Sequence, residues 1–416
     1  MPDQLQLAIA NYRKGSYITV EGKQKVECFF IIQQGSVRIS REAGIEGDKD
    51  EALVAGDFFG VASAMSSLSH IETAVAASDV TLITVRPHQY VSLIQRNSQV
   101  AIKILMQLSS RLRFLDAALA ALTARQGEAP LAEDGPARLF AMAEYCHRQK
   151  RAAQASYAYA RYLEHFPSGK SAAAAASRLE ALAGAGQAKR AFGKGEMSRA
   201  YEKGEVIFAE GEPGSEFFVL QSGSVRISKI VDGKEMLLGA IKAGDIFGEM
   251  ALLESKHRAA SVVAAGEGCT VMAVGKSGFE LLIQTQPQLI AKLTTLLASR
   301  IWSAFKQLEV LSIINPLGRV YAALLISLEK SRIGFDSTAA HVFSSTWEDL
   351  IGTLGLSEKE GFILLGELRK DKNIQVSEGM IQAASVREVV RQCEFYRKMD
   401  AREKVQQESR LKNQAE

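Results

Sequence analysis

Two stretches of the chain carry the residue pattern of half-buried strands. FFIIQQGSVRIS (29–40) and FFVLQSGSVRIS (217–228) are rich in aromatic and β-branched residues, and each is broken by a glycine before a polar–apolar alternation. Several such strands joined by glycine turns predict a sandwich or barrel. A helical stretch follows each. After the second it runs from Gln288 to Leu311, with apolar residues at Leu289, Leu293, Leu296, Leu297, Ile301, Ala304, Leu308 and Leu311. These three- and four-residue steps draw one stripe of a long amphipathic helix. The equivalent helix after the first stretch covers about Val100 to Leu122.

The likeness of the two stretches extends into an internal repeat. YRKGSYITVEGKQKVECFFIIQQGSVRIS (12–40) answers YEKGEVIFAEGEPGSEFFVLQSGSVRIS (201–228), and AGDFFG (55–60) answers AGDIFG (243–248). The identical GSVRIS segments begin at Gly35 and Gly223. This is duplication of a domain of about a hundred residues, much longer than the ~20–50 residues of a solenoid repeat. Between the copies, about 136–184 is rich in Ala and Tyr, with Pro167 and Gly169 separating two helices. It has the look of one and a half tetratricopeptide-type units. A plain helical spacer is the favoured reading, because such repeats need about three copies to be stable. Gly184, Gly186, Gly193 and Gly195 then predict a flexible link.

Composition narrows the picture without redirecting it. The 416 residues are 47% apolar and 23% charged, with a formal charge of +3. That is a globular profile, and it excludes a polybasic protein that coats nucleic acid by charge alone. Cys28, Cys146, Cys269 and Cys393 lie far apart and form no CxxC, so neither a zinc site, a redox motif nor a disulfide framework is expected. The start has no signal-peptide pattern and no run approaches a membrane span, so a cytoplasmic address is the expectation. No nucleophile–base set, metal cluster or Walker-type loop points to an enzyme.

The sharpest chemistry lies in FGEMALLESKHRAASV (247–262). Gly244 and Gly248 allow a tight turn with close backbone approach. Glu249 to Leu253 can form a short helix whose first amides favour an anion. Arg258 can pair with that anion through two parallel hydrogen bonds. Glu249 is an acceptor suited to a hydroxyl such as a ribose 2′-OH, and Ser261 adds a small hydroxyl. An anion beside a hydroxyl describes a nucleotide phosphate and its sugar.

This stretch resembles the phosphate-binding cassette of cyclic nucleotide-binding domains, the family that includes the regulatory subunits of cAMP-dependent kinase and the bacterial catabolite activator (cAMP receptor protein) group. The family pattern F-G-E-x-A-L, a gap, then R-[AT]-A-[ST]-V is matched at every position. The resemblance implies that Glu249 holds the ribose 2′-OH and Arg258 the exocyclic phosphate. Gly248 and Ala251 then shape the cassette, with backbone amides near Leu252. The implied ligand-binding set is Phe247, Gly248, Glu249, Met250, Ala251, Leu252, Arg258, Ala259, Ala260 and Ser261. Ala259, where cGMP-preferring members often carry Thr, leans toward cAMP, with cGMP or another cyclic nucleotide open. No cofactor or metal is implied.

The first copy departs from the pattern. Its cassette, FGVASAMSSLSHIETAV from Phe59, places Val61 opposite Glu249, His70 opposite Arg258 and Thr73 opposite Ser261. Valine accepts no hydrogen bond, and a neutral imidazole cannot fork onto a phosphate. Losing one partner of a buried charge pair costs about 2–5 kcal/mol. The first site is expected to be empty of cyclic nucleotide or to bind something else.

From Pro316 the pattern turns helical. PLGRVYAALLISLEK is one helix; Thr346, with Asp349 three residues on, caps a second. Gly355 and Leu356 make a turn, Ser357 caps a third helix running through Arg369, and NIQV and MIQA around Gly379 read as a two-stranded wing. The arrangement resembles the winged helix-turn-helix of the catabolite activator group, whose second helix enters the major groove. The group places Arg near the start of that helix and again five residues later; here stand Glu358 and Ile363. Residues 316–383 carry nine acidic against seven basic side chains. DNA affinity rests on neutralising phosphates and reading guanine with Arg, so both supports are thin. Lys359, Arg369, Lys370 and Lys372 remain for a DNA backbone. The tail, 387–416, alternates charges as a solvated helix or a disordered end.

The expected fold is α+β. It comprises a degenerate cyclic nucleotide-binding β-roll or jelly roll (1–125), a helical spacer (126–190), a second such domain with a dimerisation helix (191–314), a winged helix-turn-helix-like domain (315–384) and a charged tail (385–416). The expected function is a cyclic-nucleotide-responsive regulator, homodimeric through the 288–311 stripe, with a transcriptional output. The alternative is a ligand-sensing, regulatory-subunit-like protein whose winged helix contacts protein.

Overall fold

The computed structural model describes residues 6–23, 26–41, 51–123, 135–182, 192, 196–231, 233–241, 243–354, 356, 358–368 and 370–415. The chain divides into two compact units that interleave along the sequence: 1–6 with 86–298, and 7–85 with 299–416.

In the unit of 7–85 and 299–416, the first β domain is a pair of four-stranded antiparallel sheets. One is ordered Ala8–Tyr12, Val80–Val85, Phe29–Gln34, Phe58–Phe59; the other Tyr17–Thr19, Thr73–Ala76, Ser36–Ser40, Glu51–Val54. Ile32, Val37, Ile39, Ala74 and Leu82 fill the space between them. The chain crosses from one sheet to the other at Gly35. A Cβ there would stand 2.3 Å from the carbonyl oxygen of Asp79 at φ +87°, so only glycine lets the two strands follow each other so closely.

The same unit holds the C-terminal helices. Asn315 caps Pro316–Lys330, its Oδ1 accepting from the amides of Leu317 (2.9 Å) and Gly318 (3.2 Å). The cap expected at Thr346 is present: its Oγ1 accepts from Asp349 N (3.2 Å) while the Asp349 carboxylate accepts from Thr346 N (3.1 Å). Helices Trp347–Thr353 and Glu358–Leu368 pack on a sheet ordered His341–Thr346, Met380–Ala383, Ile374–Ser377. The third strand, His341–Thr346, is an addition to the two expected, stitched in through His341 opposite Ala383. Phe343, Leu350, Leu364 and Ile381 form the core. The turn assigned to Gly355 and the cap assigned to Ser357 lie outside the described residues. The tail is a helix, Val386–Ala415, but it is not wholly solvated. Val386, Val389 and Cys393 are buried in the same core, and Asp400 accepts from Ile314 N at 2.6 Å.

In the unit of 1–6 and 86–298, the second β domain repeats the first, with its strands run together. Glu216–Val231 and Ser261–Gly275 are continuous where the first copy breaks them, and a register shift beside Gly223 marks the place. The segment read as a plain helical spacer is docked on the β domain. Helices Gly135–Arg148, Ala152–His165 and Ala172–Ala181 share one core with Val206, Ala209 and Val263 of the β domain, through Leu139, Met142, Tyr159 and Tyr162. Ion pairs Arg138–Glu210 (2.8 Å) and Arg151–Glu235 (2.7 Å) reinforce it. The four link glycines lie outside the described residues. The long helix Ser98–Thr123 buries Ala101, Ile104, Leu105, Leu108, Leu112 and Leu115.

The helix Pro287–Leu311 contributes its first half to one unit and its second half to the other. Leu293, Leu297, Ile301 and Leu308 are each at most 1% exposed. Of the stripe expected to meet a second copy, Leu293, Leu297, Ile301, Ala304 and Leu308 are buried within the chain, and Leu289, Leu296 and Leu311 are half-buried. Among the described residues, no helix is long and apolar enough to cross a membrane.

Candidate nucleotide-phosphate site

The cassette starts where strand Ile246–Phe247 gives way to Gly248, the N-cap of helix Glu249–Glu254. Gly248 sits at φ +78°, a left-handed conformation that a side chain resists. Its carbonyl accepts a hydrogen bond of 2.6 Å from Nη1 of Arg258. Glu249, the first helical residue, is only 2% exposed. An acid in that place also complements the helix dipole.

Arg258 is 6% exposed. Its guanidinium lies 4.1 Å from the ring centre of Phe208 and 5.6 Å from that of Phe218, both cation–π distances. Gly214 makes room: a Cβ there would meet the guanidinium carbon at 2.7 Å and the Cβ of Ala251 at 2.5 Å. Burial pulls the Arg258 pKa down, and Glu212, Tyr157, Glu216 and Glu249 oppose that pull. Arginine starts so far above neutrality that it stays charged. Its Nε is buried without a hydrogen-bond partner. A buried donor left unmet costs about 1–3 kcal/mol, which an anionic ligand would recover.

Arg258 lines two cavities. One, of 210 Å³, is lined by Phe208, Phe218, Tyr157, Arg161, Arg199 and Glu216 among others. The other, of 230 Å³, is lined by Ala259, Lys229, Lys256, Arg113, Arg138 and Asp116 among others.

The remaining residues of the expected set divide by burial. Phe247 stacks on Phe218 with centroids 5.4 Å apart, and it belongs to the domain core with Met250 buried beside the cassette. Ala251 is buried; Leu252, Ala259 and Ala260 are half-buried. Ser261 Oγ accepts from the amide of Glu210 at 2.8 Å. In the first copy Thr73 Oγ1 accepts from Glu21 N at 3.0 Å in the matching place. That hydroxyl therefore has a structural duty in both copies.

Several groups around the site carry no motif. Glu212, 3% exposed, receives Arg161, Tyr157 (3.2 Å) and the amide of Ala209 (2.8 Å), fastening the helix Ala152–His165 to the turn that faces Arg258. Burial raises the Tyr157 pKa well above its usual range. At the far end of the cassette helix, Glu254 accepts from Ser109 Oγ (2.7 Å) and Arg113 Nε (2.9 Å) of the helix Ser98–Thr123. Only Lys229 had a legible signal: a basic residue follows GSVRIS in both copies, Arg41 and Lys229.

The first cassette is built differently. Val61 and His70 are buried at 4% and 7% exposure. Burial lowers the His70 pKa, with Glu72 opposing, so the imidazole is neutral at pH 7. The Glu72 carboxylate accepts from Gly60 N at 2.8 Å and from Arg41 at 3.0 Å. Ser69 donates its amide to Glu329 (2.8 Å) and accepts at its carbonyl from Trp302 Nε1 (3.1 Å).

In the C-terminal region Lys359, Lys370 and Lys372 are exposed, and Arg369 lies outside the described residues. Phe362 and Ile363, on the helix expected to read DNA, are 77% and 65% exposed. Among the described residues no group of three His, Cys, Asp or Glu side chains could hold a metal.

Residues 9–97 and 198–286 match the profile of the Cyclic nucleotide-binding domain family. The cyclic AMP receptor protein of Thermus thermophilus is 29% identical over 177 residues, 42% of this chain and 78% of its own. The cAMP-activated global transcriptional regulator of Pasteurella multocida is 32% identical over 116 residues, 28% of this chain and 56% of its own. A cAMP-dependent protein kinase regulatory subunit of Mycosarcoma maydis is 46% identical over 60 residues, 14% of this chain and 11% of its own. The solved structure of Thermus thermophilus catabolite activator protein aligns over 48% of this chain and 90% of its own, at 26% identity and a TM-score of 0.27.

Proposed function

We propose that the chain, whose residues 9–97 and 198–286 match the Cyclic nucleotide-binding domain family, is a cyclic-nucleotide-responsive regulator that acts by binding and not by catalysis. The second domain takes cAMP or a close relative, Arg258 holding the cyclic phosphate and Glu249 the ribose hydroxyl. The observation that carries this reading is the buried Arg258 guanidinium, stacked on Phe208 with its Nε unmet. The first domain, with Val61 and His70 in the matching places, takes no cyclic nucleotide. Ligand acts by favouring one arrangement of the cassette over another, since only differential affinity shifts a population.

The output lies in 315–384, a winged helix-turn-helix-like domain in this reading, with Lys359, Arg369, Lys370 and Lys372 available to a DNA backbone. A second reading, contact with protein, is favoured by the exposure of Phe362 and Ile363. In a homodimer, Leu289, Leu296 and Leu311 are the stripe residues of Pro287–Leu311 left half-buried for a second copy to meet.

Calorimetric titration of the full chain with cAMP, cGMP and a cyclic dinucleotide tests the ligand. One equivalent of cAMP per chain is expected, with binding lost in Arg258→Ala. Affinity unchanged by that substitution would overturn the assignment. Electrophoretic shift on genomic fragments, with and without cAMP, separates the DNA reading from the protein one.

A further inference from the structure

Because the chain holds the same domain twice, each copy shows what the other has changed. At a spacing of 188, Gly60 answers Gly248, His70 answers Arg258, Arg41 answers Lys229 and Glu72 answers Ala260. In the first copy the Glu72 carboxylate accepts from the amide of Gly60 at 2.8 Å and from the Arg41 guanidinium at 3.0 Å. Both side chains are largely shielded, 13% and 10% exposed. An anion thus sits at the mouth of the first cassette, supplied by the chain itself and neutralised by a cation at the end of the strand Ser36–Ser40. An incoming nucleotide would have to displace it and would be repelled by it.

The second copy keeps the cation and drops the anion. Lys229 stands on the matching strand, and Ala260 has no carboxylate to offer. A 230 Å³ cavity next to that strand is lined by Lys229, Arg258 and Ala259 among others. Among the described residues the Lys229 ammonium makes no hydrogen bond or ion pair. Burial lowers its pKa; Glu210 and Asp116 oppose that shift, Arg138 and Arg113 add to it, and Glu210 is itself paired with Arg138 at 2.8 Å. A half-buried lysine and a buried arginine that line one cavity make a place for an anion.

We propose that Lys229 is a ligand-contacting residue of the second domain, gripping the anionic phosphodiester of a cyclic nucleotide in the place that Glu72 fills from within in the first. The inference rests on the reading that the second domain binds such a nucleotide. It adds a second cation to Arg258, and it assigns the silence of the first domain to an internal ligand as well as to the loss of Arg.

The test is a calorimetric titration of the full chain with cAMP. Lys229→Gln is expected to weaken binding roughly 10- to 100-fold, the worth of a charge-assisted hydrogen bond. Lys229→Arg, the residue type used in the first copy, is expected to restore it, with melting temperature confirming that both variants fold. Lys229→Gln binding as tightly as wild type, while Arg258→Ala binds nothing, would overturn this inference and leave the nucleotide reading standing. Failure of the wild-type chain to bind any cyclic nucleotide would sink both. A second measurement needs no nucleotide. Glu72→Ala removes the carboxylate that bridges Arg41 and the amide of Gly60, while Glu51 stays 3.4 Å from Arg41, so inorganic phosphate should raise the melting temperature of that variant above any shift in wild type, and Arg41→Gln added to it should abolish the gain. A Glu72→Ala protein indifferent to phosphate would show that the carboxylate marks no anion place.

Discussion

Arg258 donates from Nη1 to the carbonyl oxygen of Gly248 across 2.6 Å, and a Cβ on Gly248 would stand 2.8 Å from that same nitrogen. The cation is thus aimed by a residue that has no side chain to obstruct it. The consequence for Gly248→Ala is twofold. The left-handed φ costs about 1–2 kcal/mol of stability, read as a fall in the urea midpoint. The guanidinium must also move, and cAMP affinity is expected to fall at least tenfold by calorimetry. Gly214→Ala should reproduce the loss of affinity without the φ penalty, because its Cβ would meet the guanidinium carbon at 2.7 Å.

The docked helical segment is expected to stabilise the second domain. Glu212 is 4% exposed and Arg161 14% at their side chains. Removing one member of a buried pair leaves the other charge uncompensated, at about 3–5 kcal/mol. Arg161→Met should therefore destabilise the chain by about 3 kcal/mol in chemical denaturation. Arg161→Met with Glu212→Gln should recover part of that stability, since the Glu212 carboxylate is no longer buried without Arg161.

The first domain should be acid-sensitive. Burial lowers the His70 pKa in the fold, so the unfolded chain takes up the proton first. The stability this group contributes is full above the ordinary histidine value of 6.5 and is lost as pH falls toward its depressed folded value. The urea midpoint should drop as pH is lowered from neutrality through that value. His70→Asn, which cannot titrate, should shrink the part of that drop that belongs to the first domain.

If the C-terminal domain binds DNA, Lys370 and Lys372 act on phosphates. Lys370→Gln with Lys372→Gln should weaken binding evenly across sequences and lower the salt slope by about one for each phosphate left without its lysine. If it binds protein instead, Phe362→Glu should abolish partner capture while leaving cAMP affinity unchanged, because Phe362 is 77% exposed on a helix outside the cassette.

The repeat, the strand-rich character of both copies, the long helices and the cassette were legible because each is written in consecutive residues. GSVRIS occurs twice, FGEMALLESKHRAASV is a continuous match, and Thr346 with Asp349 states its own cap. The sequence was less informative where a residue's role depends on a distant partner. The segment 136–184 read as a spacer because nothing local shows that Arg138 and Arg161 meet Glu210 and Glu212. His341–Thr346 went unassigned because its strand character depends on Met380–Ala383 beside it.

What the chain alone determined was which residues stand in matching places: an arginine and a glutamate nine residues apart in one copy, a histidine and a valine in the other. Tertiary structure decided their state. Burial against Phe208 and Phe218 turned Arg258 from a surface cation into a desolvated one, and the approach of Gly60 and Arg41 made Glu72 an internal anion. The physical reason is that charge is a property of the residue, while solvation and pairing belong to whatever the fold brings within a few ångströms of it.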